Sequence, residues 1–323
     1  MKQTKSLVIG SGSIGERHSK NLVKFLNKKV YVLSRFPDKP FRDSYLNESE
    51  NIEKISYSDL DKSYDIELLV LATPSSIRSE AFSEIQKIKP SVIYTEVPAA
   101  INYSSWSSLK KLSSELNAKL YAGYNMRFHP GINTLKELKD SRFLSLRGVF
   151  GEFLPDLHKW EDYRERYEAI NALGGGPLLT SHHEIDLAIL LMGQVKKVSC
   201  FMRNSHLDID AADHSIIILF HKNGSVSNLD LNFFYKQYVR RLEIATEKGV
   251  INYEPFSKGI NLGTDNLASY KDFDFNNTYI DSIKEALSKR NVFSPTNQDV
   301  DHLMKVTDAC LKSCKDNGNI VDV

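Results

Sequence analysis

The stretch that most restricts this chain lies near its start. In "SLVIGSGSIG" an apolar run ending at Ile9 meets Gly10, Gly12 and Gly15 in GxGxxG spacing, with a helical stretch from Glu16 to Leu26 behind it. Strand, glycine turn and helix in that order are what a dinucleotide-binding unit needs. The first glycine makes the tight turn, the second lets the main chain approach a pyrophosphate, and the third seats the helix on the strand. The N–H groups at the start of such a helix have no partner of their own and suit phosphate. Gly10, Ser11, Gly12, Ser13, Ile14 and Gly15 are therefore expected to bind a cofactor, the alternative being a tight turn of purely structural use.

The next segments extend the pattern. "VYVLS", "IELLVLATP", "SVIYTE" and "KLYAGYN" are short and apolar, and the helical segments "SEAFSEIQKI" and "SWSSLKKLSSELN" fall between them. Apolar strands alternating with helices indicate a parallel sheet covered on both faces. An acid at the end of the second strand would accept from the adenosine ribose and select NAD(H). Here that strand ends in Ser34 and Arg35, with no acid before Asp38. A hydroxyl and a guanidinium suit a 2′-phosphate, so NADP(H) is the expected cofactor and NAD(H) the alternative; Arg35 could instead stack on adenine or lie in solvent. Thr73, Pro74 and Ser75 end the next strand at the edge where ligands sit, and either line the cofactor or form an ordinary turn.

After Tyr124 the pattern becomes one of alternating strands, "LSLRGVFGEF", "VKKVSCFMR", "DHSIIILFH", "SVSNLDLNFFY", "RRLEIAT" and "GVINYE". Two helices, "GINTLKELKD" and "LLTSHHEIDLAILLMG", interrupt them. Alternation of this kind marks an antiparallel sheet covered on one face. The expected fold class is α/β: a Rossmann doubly wound domain over residues 1–122 and an α+β domain with a large open antiparallel sheet over 123–323. Two domains also suit the length, since single cores stop growing at about 250 residues.

Lys and Arg number 42 against 41 Asp and Glu, and they are scattered, so no footprint for nucleic acid is expected. No apolar run reaches the roughly 18 residues needed to span a bilayer, and the glycines from Gly10 cut the first one too soon for a signal segment. A cytoplasmic protein acting on small molecules is the expectation. Cys200, Cys310 and Cys314 are few and odd in number, which suits a reducing compartment, and Cys310 and Cys314 lack a third ligand nearby, so no metal is expected.

Five blocks in order carry a family resemblance: "GSGSIGERH" from Gly10, "ATP" from Ala72, "EVP" from Glu96, "GYNMRFHP" from Gly123 and "GGGPLLTSHHEID" from Gly174. Together they resemble the Gfo/Idh/MocA family of oxidoreductases, which includes glucose-fructose oxidoreductase and inositol dehydrogenase. The resemblance implies hydride transfer between a nicotinamide cofactor and a carbon of a sugar, polyol or nucleotide sugar. It also implies a second-domain sheet that supports a homo-oligomer, a dimer or tetramer. "FLPDLHKWEDYRERY", Phe153 to Tyr167, is similar to members found with surface-polysaccharide and nonulosonic-acid sugar genes, which implies cell-surface glycan biosynthesis. The family usually has EKP where this chain has Glu96, Val97 and Pro98, and the lysine assists proton transfer. It usually has an aspartate and a histidine at the second-domain helix; the histidine matches His183, while the aspartate falls on Thr180. The resemblance further places Glu96, Val97 and Asn125 beside the cofactor.

Gly176 and Pro177 suit a helix start, which would put Thr180 and His183 on one face near the positive helix end. A neutral His183 could there donate to a carbonyl or alkoxide; alternatively it caps a main-chain carbonyl and Asp186 fixes its tautomer. His182 is a second candidate, and "HHEID" lacks the HExxH spacing of a metal site. Arg127, Trp160, Tyr163 and Arg164 would suit a phosphate or carboxylate on a sugar, with tryptophan stacked on the ring, unless "WEDYRERY" is an exposed helix held by its own ion pairs. The expected substrate contacts are thus Tyr124, Arg127, Trp160, Tyr163, Arg164, Thr180 and His182. A positioned acid or base contributes about 10²- to 10⁴-fold, and holding reactants in line is worth about 7 to 11 kcal/mol, so transfer can survive loss of the lysine. Two functions remain: an NADP(H)-dependent oxidoreductase with His183 as proton donor, or a redox-inactive protein that senses NADP(H) or a sugar.

Overall fold

The computed structural model describes residues 5–61, 65–138, 143–257 and 259–323. The chain divides into two units, Met1–Asn125 with Phe275–Val300, and Met126–Asp274 with Asp301–Val323. The first is built from β1 (Lys5–Ile9), α1 (Ser13–Lys24), β2 (Lys29–Leu33), α2 (Ser44–Glu48), β3 (Ile52–Ile55), β4 (Ile66–Leu71), α3 (Phe82–Ile88), β5 (Val92–Thr95), α4 (Tyr103–Glu115) and β6 (Lys119–Ala122). Its six strands are all parallel, in the order β3-β2-β1-β4-β5-β6. That is the doubly wound order with its switch point between β1 and β4. β5 is buried at every position, as a strand covered on both faces must be. β3, with one buried residue in "IEKI", is an edge strand that gave no apolar run to read.

The strands end in step. Ile9 pairs with Leu33 and Leu71, Leu71 with Thr95, and Thr95 with Ala122. Beyond those ends Gly10, Ala72, Glu96 and Gly123 donate main-chain N–H to Leu33, Ile9, Leu71 and Thr95, respectively. Gly10, Ser34, Ala72, Glu96 and Gly123 therefore form one row along the carboxyl edge of the sheet.

The second unit contains α5 (Pro130–Glu137), β7 (Phe143–Phe153), α6 (Leu154–Leu157), α7 (Pro177–Thr180), α8 (His183–Met192), β8 (Val195–Arg203), β9 (His214–His221), β10 (Val226–Asn232), β11 (Phe234–Thr246), β12 (Gly249–Tyr253), β13 (Gly259–Leu262) and β14 (Asp265–Ser269). α9 (Asn276–Leu287), α10 (Asn297–Lys315) and β15 (Val321–Asp322) complete the chain. The nine-stranded sheet runs β14-β13-β12-β11-β7-β10-β9-β8-β15. It is the large, mostly antiparallel sheet expected, with one parallel pairing, between β7 and β10. β9 alternates half-buried and buried residues along its whole length, because helices cover one face only.

Three details differ from the sequence expectation. The run from Ser225 to Tyr235 is not one strand: Phe233 breaks it, its ring buried with Leu154, Ala169 and Ile209. The helix expected over 178–193 is two, α7 and α8, separated at Ser181 and His182. Lastly, α9 belongs to the first unit although the second domain was expected to start at 123 and run to the end. Ile283 and Ala286 lie in the core formed by Val8, Val30, Val70, Val92 and Tyr94, and the Tyr94 hydroxyl shares a 2.9 Å hydrogen bond with Ser282.

Candidate functional site

In the first unit the three glycines do different things. Gly10 has φ +112°, where an L side chain is strained, and an added Cβ would lie 2.9 Å from the Ala72 oxygen. A Cβ on Gly15 would lie 2.0 Å from the Gly10 oxygen, so this glycine lets α1 seat against the turn. Gly12 is unlike both: a Cβ there would meet nothing within 4 Å. The space above Gly12 is open, at the start of a helix that has no side-chain cap. This arrangement fits the pyrophosphate of a dinucleotide. Ser13 is exposed beside that space, while Ile14 turns toward the core.

The ribose end is built on β2. The Ser34 hydroxyl accepts from the Phe36 N–H at 3.1 Å and shares a 2.9 Å hydrogen bond with Ser11, which ties the strand end to the glycine turn. Arg35 reaches Glu80 at 3.1 Å, and with both side chains well exposed this pair opens readily. Sequence reasoning missed Arg42. Its main-chain N–H donates to Glu16, and its guanidinium donates to the Ser13 hydroxyl at 3.3 Å, bringing a cation onto the turn. Only the return of the loop after β2 over α1 places it there.

Arg78 was also missed, and it organises the neighbouring turns. This buried guanidinium donates to the Thr73 carbonyl at 3.0 Å, the Thr95 hydroxyl at 3.1 Å, and the carbonyls of Glu96 and Pro98. It thereby fixes the "ATP" and "EVP" turns side by side. Thr73 and Pro74 are half-buried there, and Ser75 is buried at the start of a 3-10 turn. Glu96 turns inward: Oε1 lies 2.5 Å from Nε2 of the buried His18, and Oε2 accepts from the Val97 N–H at 3.2 Å. Its carboxylate shapes the turn from below, with half-buried Val97 following it. Asn125 is buried and its amide donates to Thr278 at 2.7 Å, an attachment to α9.

In the second unit His183 opens α8 and is half-buried. Burial holds its imidazole well below the ordinary value, and the Arg240 guanidinium and His182 push the same way. The neutral ring expected from a helix end thus owes its state first to desolvation. Thr180 ends α7 and donates to the Gly176 carbonyl at 3.1 Å, so Thr180 and His183 do not share one helix face. His182 is fully buried, with burial lowering its pKa to about 3. The Thr307 hydroxyl donates to the Leu303 carbonyl at 2.9 Å and so accepts at 2.6 Å from His182 Nε2–H, which sets the tautomer and pins the ring to α10. Asp186 takes a bidentate grip from Arg127, at 2.6 to 3.1 Å, and the pair is buried.

The residues of the expected basic and aromatic cluster have different settings. Arg127 is the buried partner just described, and Tyr124 is fully buried in the first unit. Trp160 is exposed and stacks on His158 with ring centroids 4.6 Å apart. Arg164 is exposed and held by Asp162 at 2.7 Å and Asp208 at 3.7 Å, while the neighbouring Tyr163 leans on the Phe233 core. "WEDYRERY" is a chain of short 3-10 turns rather than a helix, and it does carry internal ion pairs.

A group of carboxylates went unread in the sequence. Glu184, buried on α8, accepts from Arg240 of β11 at 2.6 and 3.1 Å. Glu168 and Arg166 form a second buried pair at 2.5 Å. Glu152, half-buried on β7, lies where the β7–β11 ladder is interrupted: Phe153 pairs with Phe234 and Gly151 with Val239, so four residues of β11 face Glu152 alone. Burial pushes its carboxyl up to about 7, with the charge of Glu168 adding and those of Arg240 and Arg166 opposing. The signal in the sequence, one acid at a mostly apolar strand end, is too common to single out. Among the described residues no group of three or more His, Cys, Asp or Glu is placed to hold a metal ion. Among them, too, no helix is long and apolar enough to cross a membrane.

Residues 142–252 match the GFO/IDH/MocA C-terminal domain family. No curated protein sequence matches the chain. Several solved structures share its fold over almost the whole length. One is GenD2 from gentamicin A biosynthesis in complex with NAD, with TM-score 0.80 and 17% identity, covering 100% of this chain and 97% of that one. Another is the WlbA dehydrogenase from Bordetella pertussis in complex with NADH and UDP-GlcNAcA, with TM-score 0.78 and 16% identity, covering 99% and 98%. A third is levoglucosan dehydrogenase in complex with NADH, with TM-score 0.79 and 17% identity, covering 100% and 99%.

Proposed function

We propose, from the match of residues 142–252 to the GFO/IDH/MocA C-terminal domain family, that this chain is an NADP(H)-dependent oxidoreductase moving hydride to or from a carbon of a sugar or nucleotide sugar. The observation that carries the reading is the open space over Gly12, at the head of α1, in a sheet of doubly wound order. Structures of the same fold contain NAD or NADH, two of them on enzymes named for dehydrogenation, one with a nucleotide sugar bound. The bound nicotinamide would supply or accept the hydride. The chain's part is to grip and to handle the proton: Gly12, Ser13 and the first N–H groups of α1 on the pyrophosphate, Ser34 and Arg35 on the 2′-phosphate, and neutral His183 as a hydrogen-bond donor to the reacting oxygen. Ser34 and Arg35 offer no carboxylate to repel that phosphate, and Arg42 adds a cation at Ser13.

Cell-surface glycan synthesis, a cytoplasmic site of action and a homo-oligomer complete the proposal. The last is supported by Val226 and Val250, which are exposed beside Arg147 and Glu243 on the uncovered sheet face. One observation favours a second reading, a redox-inactive binder of the same ligands: a valine stands in the place of the family's lysine, on a turn that Arg78 holds rigid. Titration with NADPH and NADH, followed by absorbance of the reduced nicotinamide with a panel of keto-sugars, separates these. The proposal expects tighter NADPH binding, weakened at least tenfold by Arg35→Asp, and turnover of at least one sugar. Equal NADH binding removes the 2′-phosphate assignment alone, binding without turnover favours the second reading, and no binding of either nucleotide overturns both.

A further inference from the structure

The second unit contains four carboxyl groups without ready access to water, Asp186, Glu184, Glu168 and Glu152, and three of them are paired with arginines. Asp186 is gripped by Arg127, Glu184 by Arg240 and Glu168 by Arg166, all six side chains being buried or nearly so. Each of these three acids is committed to a buried guanidinium, which does not deprotonate in proteins, so its use in proton transfer would break a buried ion pair. His182 is locked to Thr307. Glu152 differs: among the described residues it forms no hydrogen bond and no ion pair.

Its placement explains this. On β7 it is two residues beyond Phe150, whose cross-strand partner is Arg240, so Glu152 and Arg240 rise from the same sheet face. The four-residue excursion of β11 from Tyr235 to Tyr238 takes away the cross-strand neighbour that would otherwise cover it. Around it stand Glu168 and Arg166 from the run of 3-10 turns and the link between them, Tyr238 and Arg240 from β11, and Glu184 from α8. Two of those acids are already paired with their own arginines, and a further negative charge beside them is disfavoured. A carboxyl with no arginine of its own, pushed by burial to about 7, is the arrangement that general acid–base chemistry requires.

We propose that Glu152 is the catalytic residue that exchanges a proton with the reacting oxygen of the substrate, the task for which the family's lysine is missing. This rests on the oxidoreductase reading above. In the reducing direction the hydride, with its electron pair, adds to the carbonyl carbon, and the oxygen takes the carboxyl proton. The products are the alcohol, the oxidised nucleotide and the Glu152 carboxylate. In the oxidising direction the carboxylate removes the hydroxyl proton as hydride leaves the same carbon.

The test compares wild type, Glu152→Gln and Glu152→Asp with NADPH and the best sugar. Expected is a fall in kcat/KM of about 100-fold or more for the glutamine variant, loss of the ionisation near pH 7 from the pH profile, partial recovery with aspartate, and NADPH affinity within twofold of wild type. Infrared difference spectra between pH 5 and pH 9 should contain a protonated-carboxyl band in wild type that the glutamine variant lacks. A wild type without that band overturns the assignment whatever the variants do. A wild type that turns over while the glutamine variant keeps its rate and pH profile overturns the assignment and leaves the oxidoreductase reading standing. A wild type that turns over no sugar removes that reading and this assignment with it.

Discussion

The room for an added methyl group distinguishes Gly12 from Gly15. A Cβ at Gly15 would sit 2.0 Å from a main-chain oxygen that cannot move aside, so Gly15→Ala should destabilise the protein by about 1 to 3 kcal/mol or more, seen as a lower melting temperature. Gly12→Ala places its methyl in open space, and its melting temperature should stay near that of wild type while NADPH binding weakens at least tenfold. If both variants melt alike and bind alike, the open space is not a ligand's. A second expectation concerns acid. His182 and His129 are buried, with values of about 3 and about 4 against 6.5 when exposed. Between those values the unfolded chain binds protons that the folded one refuses, so stability is complete above about pH 6.5 and falls as pH drops toward 4. Every tenfold loss of proton affinity on folding corresponds to about 1.4 kcal/mol. Urea unfolding at pH 7, 6 and 5 should record this decline, with a shallower slope for His182→Gln; equal stability at all three pH values contradicts it. The glycines could be read from the sequence because turn, strand and helix are contiguous. The clamp from Arg78 and the contact between His18 and Glu96, 78 residues apart, could not, since the fold alone brings those groups together.

Elements with a clean period were legible and elements set by tertiary contacts were not. β9 announces itself through strict alternation, and β5 through an unbroken apolar run. The break between α7 and α8 has no signal of its own: "PLLTSHHEIDLAILLM" reads as one helix until His182 is drawn to Thr307 and Arg127 takes Asp186. The four residues of β11 opposite Glu152 lie inside a run of aromatic and basic residues that any regular strand would tolerate. α8 and β11 are joined by the Glu184–Arg240 pair, in which the buried carboxylate depends on the guanidinium. Arg240→Leu should therefore cost about 3 to 5 kcal/mol, and adding Glu184→Leu should recover most of the loss, because a buried pair is worth far less than one abandoned charge costs. Chemical denaturation of the single and double variants checks this, and additive losses would contradict it.

The division of the whole chain is interleaved rather than sequential. Phe275–Val300 belongs with Met1–Asn125, so α9 completes a core whose strands lie more than 150 residues earlier, as the Tyr94–Ser282 contact with its separation of 188 attests. The sequence offered a boundary near 122, where strand character changes, but nothing at 275, since an amphipathic helix does not declare which unit it will cover. Ile283→Ala should cost about 2 to 5 kcal/mol. Hydrogen exchange should then quicken at amides of β4 and β5 while those of β9 keep their protection; equal loss in both sheets would contradict the assignment of α9. A ribosome emits the amino end first, and domains as a rule fold in the order they emerge. This parallel sheet must instead wait, its core uncovered, until residues 276–287 have emerged, so the nascent polypeptide is expected to linger on chaperones until that segment arrives.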